Sequence, residues 1–191
     1  IAADNQNNIW LATFSGTYKY NKQTTQLTYY PGSKYFLPKR FTLTKAGDVW
    51  ISAADGSIYK YNARTDDFTG FRILTDKETA SVTLGKILDA GNYGFVIATN
   101  TAGLRLFEPN SGSVTTLFPD DNRLSNEIII NAIQLFENKE IWIGSESGIY
   151  IYNLETGFVK ALQMVPTDPF SLSNNAIRFL FRDREGGVWA G

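Results

Sequence analysis

Ile141-Trp142-Ile143-Gly144-Ser145 is one of five versions of the same short strand. The others are Ile9-Trp10-Leu11-Ala12-Thr13, Val49-Trp50-Ile51-Ser52-Ala53, Phe95-Val96-Ile97-Ala98-Thr99 and the shorter Val188-Trp189-Ala190-Gly191. Their second residues fall at 10, 50, 96, 142 and 189, with Val96 the one that is not Trp. A fixed period in this range marks a repeat array, and for all-β units it marks propeller blades.

The fourth copy defines the unit. Asn126 to Phe136 is β-rich and apolar, and Glu137-Asn138-Lys139 makes a turn. Glu140 to Ser145 carries the Trp, Gly148 to Asn153 is a third strand, and Phe158 to Gln163 is a fourth after the turn Leu154-Glu155-Thr156-Gly157. Four short antiparallel strands with polar turns make one blade. The second copy repeats this as 40–45, 49–53, 57–62 and 68–73. The third gives 85–90, 93–99, 103–108 and 113–118. The first offers a stub at 1–3, then 8–13, 16–21 and 26–30; the last offers 175–182 and 188–191. Apolar spacing is two or continuous, not 3.6, so no helix is predicted.

The fold class is therefore all-β, a single 1–191 array of about four four-stranded propeller blades, with repeats near 1–37, 38–82, 83–124, 125–172 and 173–191. Trp189 would be redundant with Trp10 if four blades closed on themselves. The expectation is a part of a larger ring, of seven blades at roughly 45 residues each. Blades pack face to face, so central strands are buried on both sides. The Trp residues are expected to fill the gaps between blades, and the small Ala12, Ser52, Ala98 or Gly144 two residues on leaves room. Gly16, Gly103 and Gly148 open third strands, where a positive φ is expected.

The composition excludes several functions. Net charge is −1 with acids and bases interspersed, which offers nucleic acid no basic surface. Cysteine and histidine are both absent, removing disulfides, thiol chemistry and the commonest general base. No catalytic, metal or cofactor site is assigned. Asp183-Arg184-Glu185-Gly186-Gly187 reads as a hairpin turn and not as a phosphate loop.

The run from Asp168 to Trp189, with Ser171-Leu172-Ser173-Asn174-Asn175-Ala176-Ile177, an apolar strand and Asp183-Arg184-Glu185-Gly186-Gly187-Val188-Trp189, resembles the regulator-propeller repeat of bacterial hybrid two-component sensors. Leu124-Ser125-Asn126 through Ser145 and Gly148 to Asn153 repeat the pattern, and it extends in weaker form over the whole chain. The resemblance implies a periplasmic propeller upstream of a membrane span, a histidine kinase and a DNA-binding response regulator. It implies an oligosaccharide ligand, control of polysaccharide-utilisation genes, and pairing of sensors as a homodimer. Membrane attachment would run through segments outside this sequence. The alternatives are a protein-binding or adhesion propeller and a glycan lyase or hydrolase.

Propeller ligands meet the loops between blades and between strands two and three. Tyr35, Phe36 and Arg40 in one such loop, with Arg123 and Arg178 in others, offer the aromatic platforms and hydrogen-bond donors a sugar or uronate needs. Each also has a structural reading, the aromatics as blade-end cover. Asn126 and Asn174 are read as holding loop backbone, and Asp120, Asp121 and Asp168 as turn formers.

Overall fold

The computed structural model describes residues 1–117, 128–137 and 139–191. Among these the chain forms eighteen strands, three short 3-10 turns (Pro31–Tyr35, Glu78–Ala80 and Gly91–Tyr93) and no α-helix. It divides into two compact units, Ile1–Asp89 and Ala90–Gly191.

The first unit contains two complete antiparallel blades. β1 (Ala2–Ala3), β2 (Asn8–Thr13), β3 (Gly16–Asn21) and β4 (Leu27–Tyr30) form one, in chain order. β5 (Pro38–Leu43), β6 (Val49–Ala53), β7 (Ser57–Asn62) and β8 (Asp67–Arg72) form the next. β9 (Leu84–Asp89), the first strand of the third repeat, also lies here. Their shared core is aromatic. Trp10 is fully buried, with its ring 4.6 Å from that of Tyr61, 5.9 Å from Tyr30 and 6.1 Å from Phe68. Val49, Phe41 and Leu43 complete the cluster. The indole of one repeat is thus covered by the next, as the strand pattern predicts.

One charge sits inside this packing. Lys19 Nζ lies 4.9 to 5.6 Å from the centres of the Tyr61, Tyr30 and Trp10 rings. It donates to Tyr61 Oη and Asp66 Oδ1, both at 2.8 Å, and Tyr30 Oη donates to the same carboxylate oxygen at 2.8 Å. Burial disfavours the Lys19 ammonium, but its bonds to Asp66 and Tyr61 outweigh that and raise its pKa. Burial likewise opposes ionisation of Asp66, and its hydrogen bonds from Lys19, Tyr61 and Tyr30 still hold it below the usual carboxylate range. The result is an ionic staple across two blades, set among ring faces that favour the cation.

The second unit holds β10 (Phe95–Thr99), β11 (Leu104–Glu108) and β12 (Ser113–Leu117), paired antiparallel in order. β13 (Ile130–Phe136), β14 (Glu140–Ser145), β15 (Gly148–Asn153) and β16 (Gly157–Leu162) make a full blade. β17 (Leu180–Arg182) and β18 (Val188–Ala190) form a hairpin. Ile149, Ile151, Ile177 and Leu180 form the core between blade and hairpin. A Cβ on Gly144 would lie 2.7 Å from Ile177 Cγ2, so the small residue after the Trp admits the next repeat. Gly16, Gly103 and Gly148 have φ of 129°, 68° and 114°, as the sequence reading requires.

One expectation is corrected. The last repeat was expected to be extended over 175–182, but its strand starts at Leu180. The preceding residues bond to the neighbouring blade instead: Ile177 N donates to Ser145 O and Gly148 N to Asn175 O, each at 2.8 Å. Trp189, on the last strand, is 63% exposed.

Candidate functional site

In the first unit, the β2–β3 connection and the segment joining β4 to β5 meet at one end of the strands. Between them lies a cleft of about 470 Å³ lined by Ala12, Thr13, Phe14, Leu37, Pro38 and Lys39. Both walls are built rigidly. Thr13 Oγ1 donates to Gly16 O at 2.9 Å, and Tyr29 Oη, from a ring stacked on Tyr18, donates to Ser15 O at 2.7 Å. This closes a two-residue turn with Phe14 at its tip, 98% exposed.

The opposite wall is anchored by buried Ser33, whose hydroxyl donates to Tyr30 O at 2.5 Å and accepts from Thr17 N at 2.6 Å. Phe36 is buried and stacks on Tyr59 with ring centres 3.7 Å apart. Tyr59 donates to Asp55 at 2.6 Å; burial first, and then that bond, push its pKa up to about 12. Ala54 N donates to both Phe36 O and Leu37 O at 3.1 Å. These contacts hold Leu37 at φ 51°, a left-handed conformation that a bulky side chain seldom adopts.

The predicted residues separate accordingly. Tyr35 is 79% exposed, with Lys34 Nζ 4.8 Å from its ring centre. Its neighbour Phe36 turns inward. Arg40 follows Lys39 on β5, where the register shifts between Pro38 and Arg40. Lys39 and Arg40 are exposed and have no ion-pair partner among the described residues. Lys86 on β9 has a lowered pKa, first from burial and then from the charge of Arg40, so these cations are close enough to repel.

Arg178 lies in the second unit. It pairs with Glu146, which also accepts Asn131 Nδ2 at 2.8 Å, while Asn131 donates to Ile177 O at 3.0 Å. Arg178 is therefore already engaged in a strap to the neighbouring blade. Asn174 Oδ1 accepts Ala176 N at 2.8 Å, and Asp168 Oδ1 accepts Phe170 N at 2.9 Å, the backbone roles read from their sequence. Arg123, Asp120, Asp121 and Asn126 lie outside the described residues.

Phe14 and Lys39, which line the cleft, were not singled out by sequence. The signal for Phe14 was present: it occupies the connection where the fourth repeat has polar Glu146. A smaller cleft of about 190 Å³ at the other end of the strands includes Asp4 and Asp48. Both carboxylates are in use, Asp4 by Asn8 and Trp10 and Asp48 by Lys60.

Four-stranded antiparallel blades in repeat define a β-propeller segment, and comparison with known proteins narrows its kind. No protein-family model matches the chain. Histidine kinase P4 of Formosa agariphila is 30% identical over 148 residues, covering 75% of this chain and 11% of that protein. The extracellular domain of the hybrid two component system BT4673 from B. thetaiotaomicron superposes with a TM-score of 0.75 at 21% identity, over 97% of this chain and 25% of that one. Virginiamycin B lyase from Staphylococcus aureus superposes with a TM-score of 0.71 at 12% identity, over 100% of this chain and 61% of that one. The regulator-propeller resemblance is borne out in sequence by the kinase and in fold by the sensor ectodomain. The chain spans about a tenth of the kinase and a quarter of the solved ectodomain. No helix among the described residues is long and apolar enough to cross a membrane.

Proposed function

We propose that this chain is a ligand-sensing propeller segment in the periplasmic region of a hybrid two-component sensor. On this reading it detects oligosaccharides and controls polysaccharide-utilisation genes through a kinase domain carried elsewhere in an inner-membrane protein, itself working as a homodimer. The chain catalyses nothing and belongs to a larger ring. The single observation behind the reading is the 30% identity to a histidine kinase across three quarters of the chain.

Fold similarity also reaches a lyase, and one solved variant of that enzyme, with a histidine replaced by alanine, is catalytically inactive. This chain has no histidine, which favours sensing over lyase chemistry here. An adhesion or protein-binding propeller is the remaining alternative. Titration calorimetry of the intact protein against neutral and acidic oligosaccharides is the test. Binding of at least one, with induction of a reporter gene in cells by the same sugar, is expected. Silence across the panel, or release of product from any member, overturns the reading.

A further inference from the structure

We infer that Trp10, Tyr30, Tyr61 and Asp66 form a binding site for a primary ammonium ion between the first two blades, and that the protein fills this site with its own Lys19. Cutting back the Lys19 side chain leaves a box that takes a free alkylammonium in its place. This holds whether or not the protein senses a glycan.

Three features make the box. The first is its walls. Lys19 Nζ sits 4.9 to 5.6 Å from three ring centres, two of them (Trp10 and Tyr30) in the first blade and one (Tyr61) in the second. The negative faces of aromatic rings attract a cation more strongly than a neutral chain of the same shape. The second is its floor. A single oxygen, Asp66 Oδ1, accepts Lys19 Nζ and Tyr30 Oη at 2.8 Å and Tyr61 Oη at 2.5 Å. Both phenols spend their hydrogens on the carboxylate, so Tyr61 Oη is left to accept from the ammonium at 2.8 Å. Asp66 is presented for this at φ 52°, in the left-handed region. The third is its entrance. Trp10 and Tyr30 are buried while the Asp66 side chain is 55% exposed, so the box is closed on the ring side and reaches solvent at the carboxylate.

The repeats show that the fold itself does not demand a charge here. The residue paired across from Trp10, Trp50, Val96 and Trp142 is Lys19, Lys60, Leu106 and Ile151 in turn. Ile151 is buried in an apolar cluster with Ile149, Ile177 and Leu180. Lys60 lies 5.7 Å from the Trp50 ring but pairs with Asp48, in the turn of its own blade. Lys19 instead sends its ammonium across the joint to Asp66. Taking an ammonium out of water is costly, and an apolar side chain at such a place often serves stability as well. A charge kept there, inside walls and a floor that match it, marks a site selective for the cation.

The test uses the intact protein, with propylammonium as probe and propanol as its neutral match. In the parent, the Lys19 Cε protons should resonate upfield of those of ordinary lysines, because the ring faces shield them. In Lys19→Ala, hydrogen exchange of the Trp10 indole N–H should quicken about tenfold. Propylammonium, which replaces the atoms removed, should bring it back close to the parent rate; propanol and sodium chloride at the same concentration should not. Adding Asp66→Asn to Lys19→Ala should abolish the response. Equal rescue by propanol overturns the selectivity for ammonium and leaves a plain cavity. No rescue by either overturns the site. Unshielded Lys19 protons in the parent overturn it without recourse to any variant. None of these readouts involves a sugar, so failure here leaves the sensing role where it stands.

Discussion

The carboxylate of Asp4 accepts the indole N–H of Trp10 at 2.7 Å, and Asp183 accepts that of Trp189 at the same distance. In both repeats the acid lies six residues before the indole. The acid also ties the turn between them: Asp4 accepts Gln6 N and Asn8 N at 2.9 Å, and Asp183 accepts Gly187 N at 2.7 Å and Glu185 N at 3.0 Å. The fourth repeat has Phe136 at that position, and Trp142 Nε1 is buried without an acceptor among the described residues. Phe136 instead lays its ring 5.6 Å from the indole, and Arg182 sits 4.2 Å from the centre of Phe136.

This difference makes one substitution expensive and its twin cheap. Trp10→Phe leaves Asp4 without its closest donor and opens space in a filled core, at an expected cost of about 2–4 kcal/mol. Trp142→Phe removes a donor that has no acceptor, and should stay within about 1 kcal/mol of the parent. Urea unfolding of the two variants is the check; equal losses would mean that the Asp–indole bond contributes nothing.

Stability should form a plateau in pH with two edges of different origin. Asp4 and Asp66 sit below the ordinary carboxylate value, Asp4 because hydrogen bonds from Asn8 and Trp10 outweigh its burial. Their contributions are present above the unfolded pKa of about 4 and are lost as pH falls through the depressed folded values. Lys19 and Tyr30 are both raised, Tyr30 chiefly by burial and then by its bond to Asp66. Their contributions are present below about 10 and fade as pH climbs through the folded values. Unfolding midpoints measured from pH 2 to 11 test this, and Asp66→Asn should flatten both limbs; a midpoint that does not change below pH 6 contradicts it.

Gly148→Ala should be poorly tolerated. A Cβ there would stand 2.4 Å from Leu162 O, and φ is 114°, so both space and backbone oppose it. The backbone alone costs about 1–3 kcal/mol. Gly32→Ala meets nothing within 4 Å and serves as the neutral control in the same thermal melt.

Neighbouring aromatics in the β4–β5 segment should separate cleanly. Phe36→Ala removes a buried stack and is expected to cost about 3 kcal/mol or more. Tyr35→Ala, at an exposed ring, should stay within about 0.5 kcal/mol. Parallel denaturation curves decide it, and a stable Phe36 variant would show that Leu37 is held by something other than the stack.

The central strands were legible because burial on both faces leaves an apolar run that polar turns interrupt: Asn8–Thr13, Val49–Ala53 and Glu140–Ser145 fall where the repeat places them. The start of β17 was not legible. Whether Ile177 N bonds within its own hairpin or to Ser145 of another blade depends on a long-range contact that alternation cannot encode. The candidate site was half legible. Its loop could be found from topology, but Tyr35 and Phe36 looked alike until a 3-10 turn and the left-handed Leu37 sent one ring out and the other in. Phe14 was passed over because a single apolar residue in a turn is ordinary.

The graded exposure of the tryptophans gives the molecule an optical handle. Trp10 and Trp50 are shut away from water, while Trp189 is 63% exposed and held still by Asp183. Indole emission moves to the blue when water leaves the ring, so any surface that docks on the β17–β18 hairpin will announce itself in intrinsic fluorescence. A Trp189→Phe variant removes that signal and leaves the buried tryptophans as a steady background against which assembly can be timed without a label.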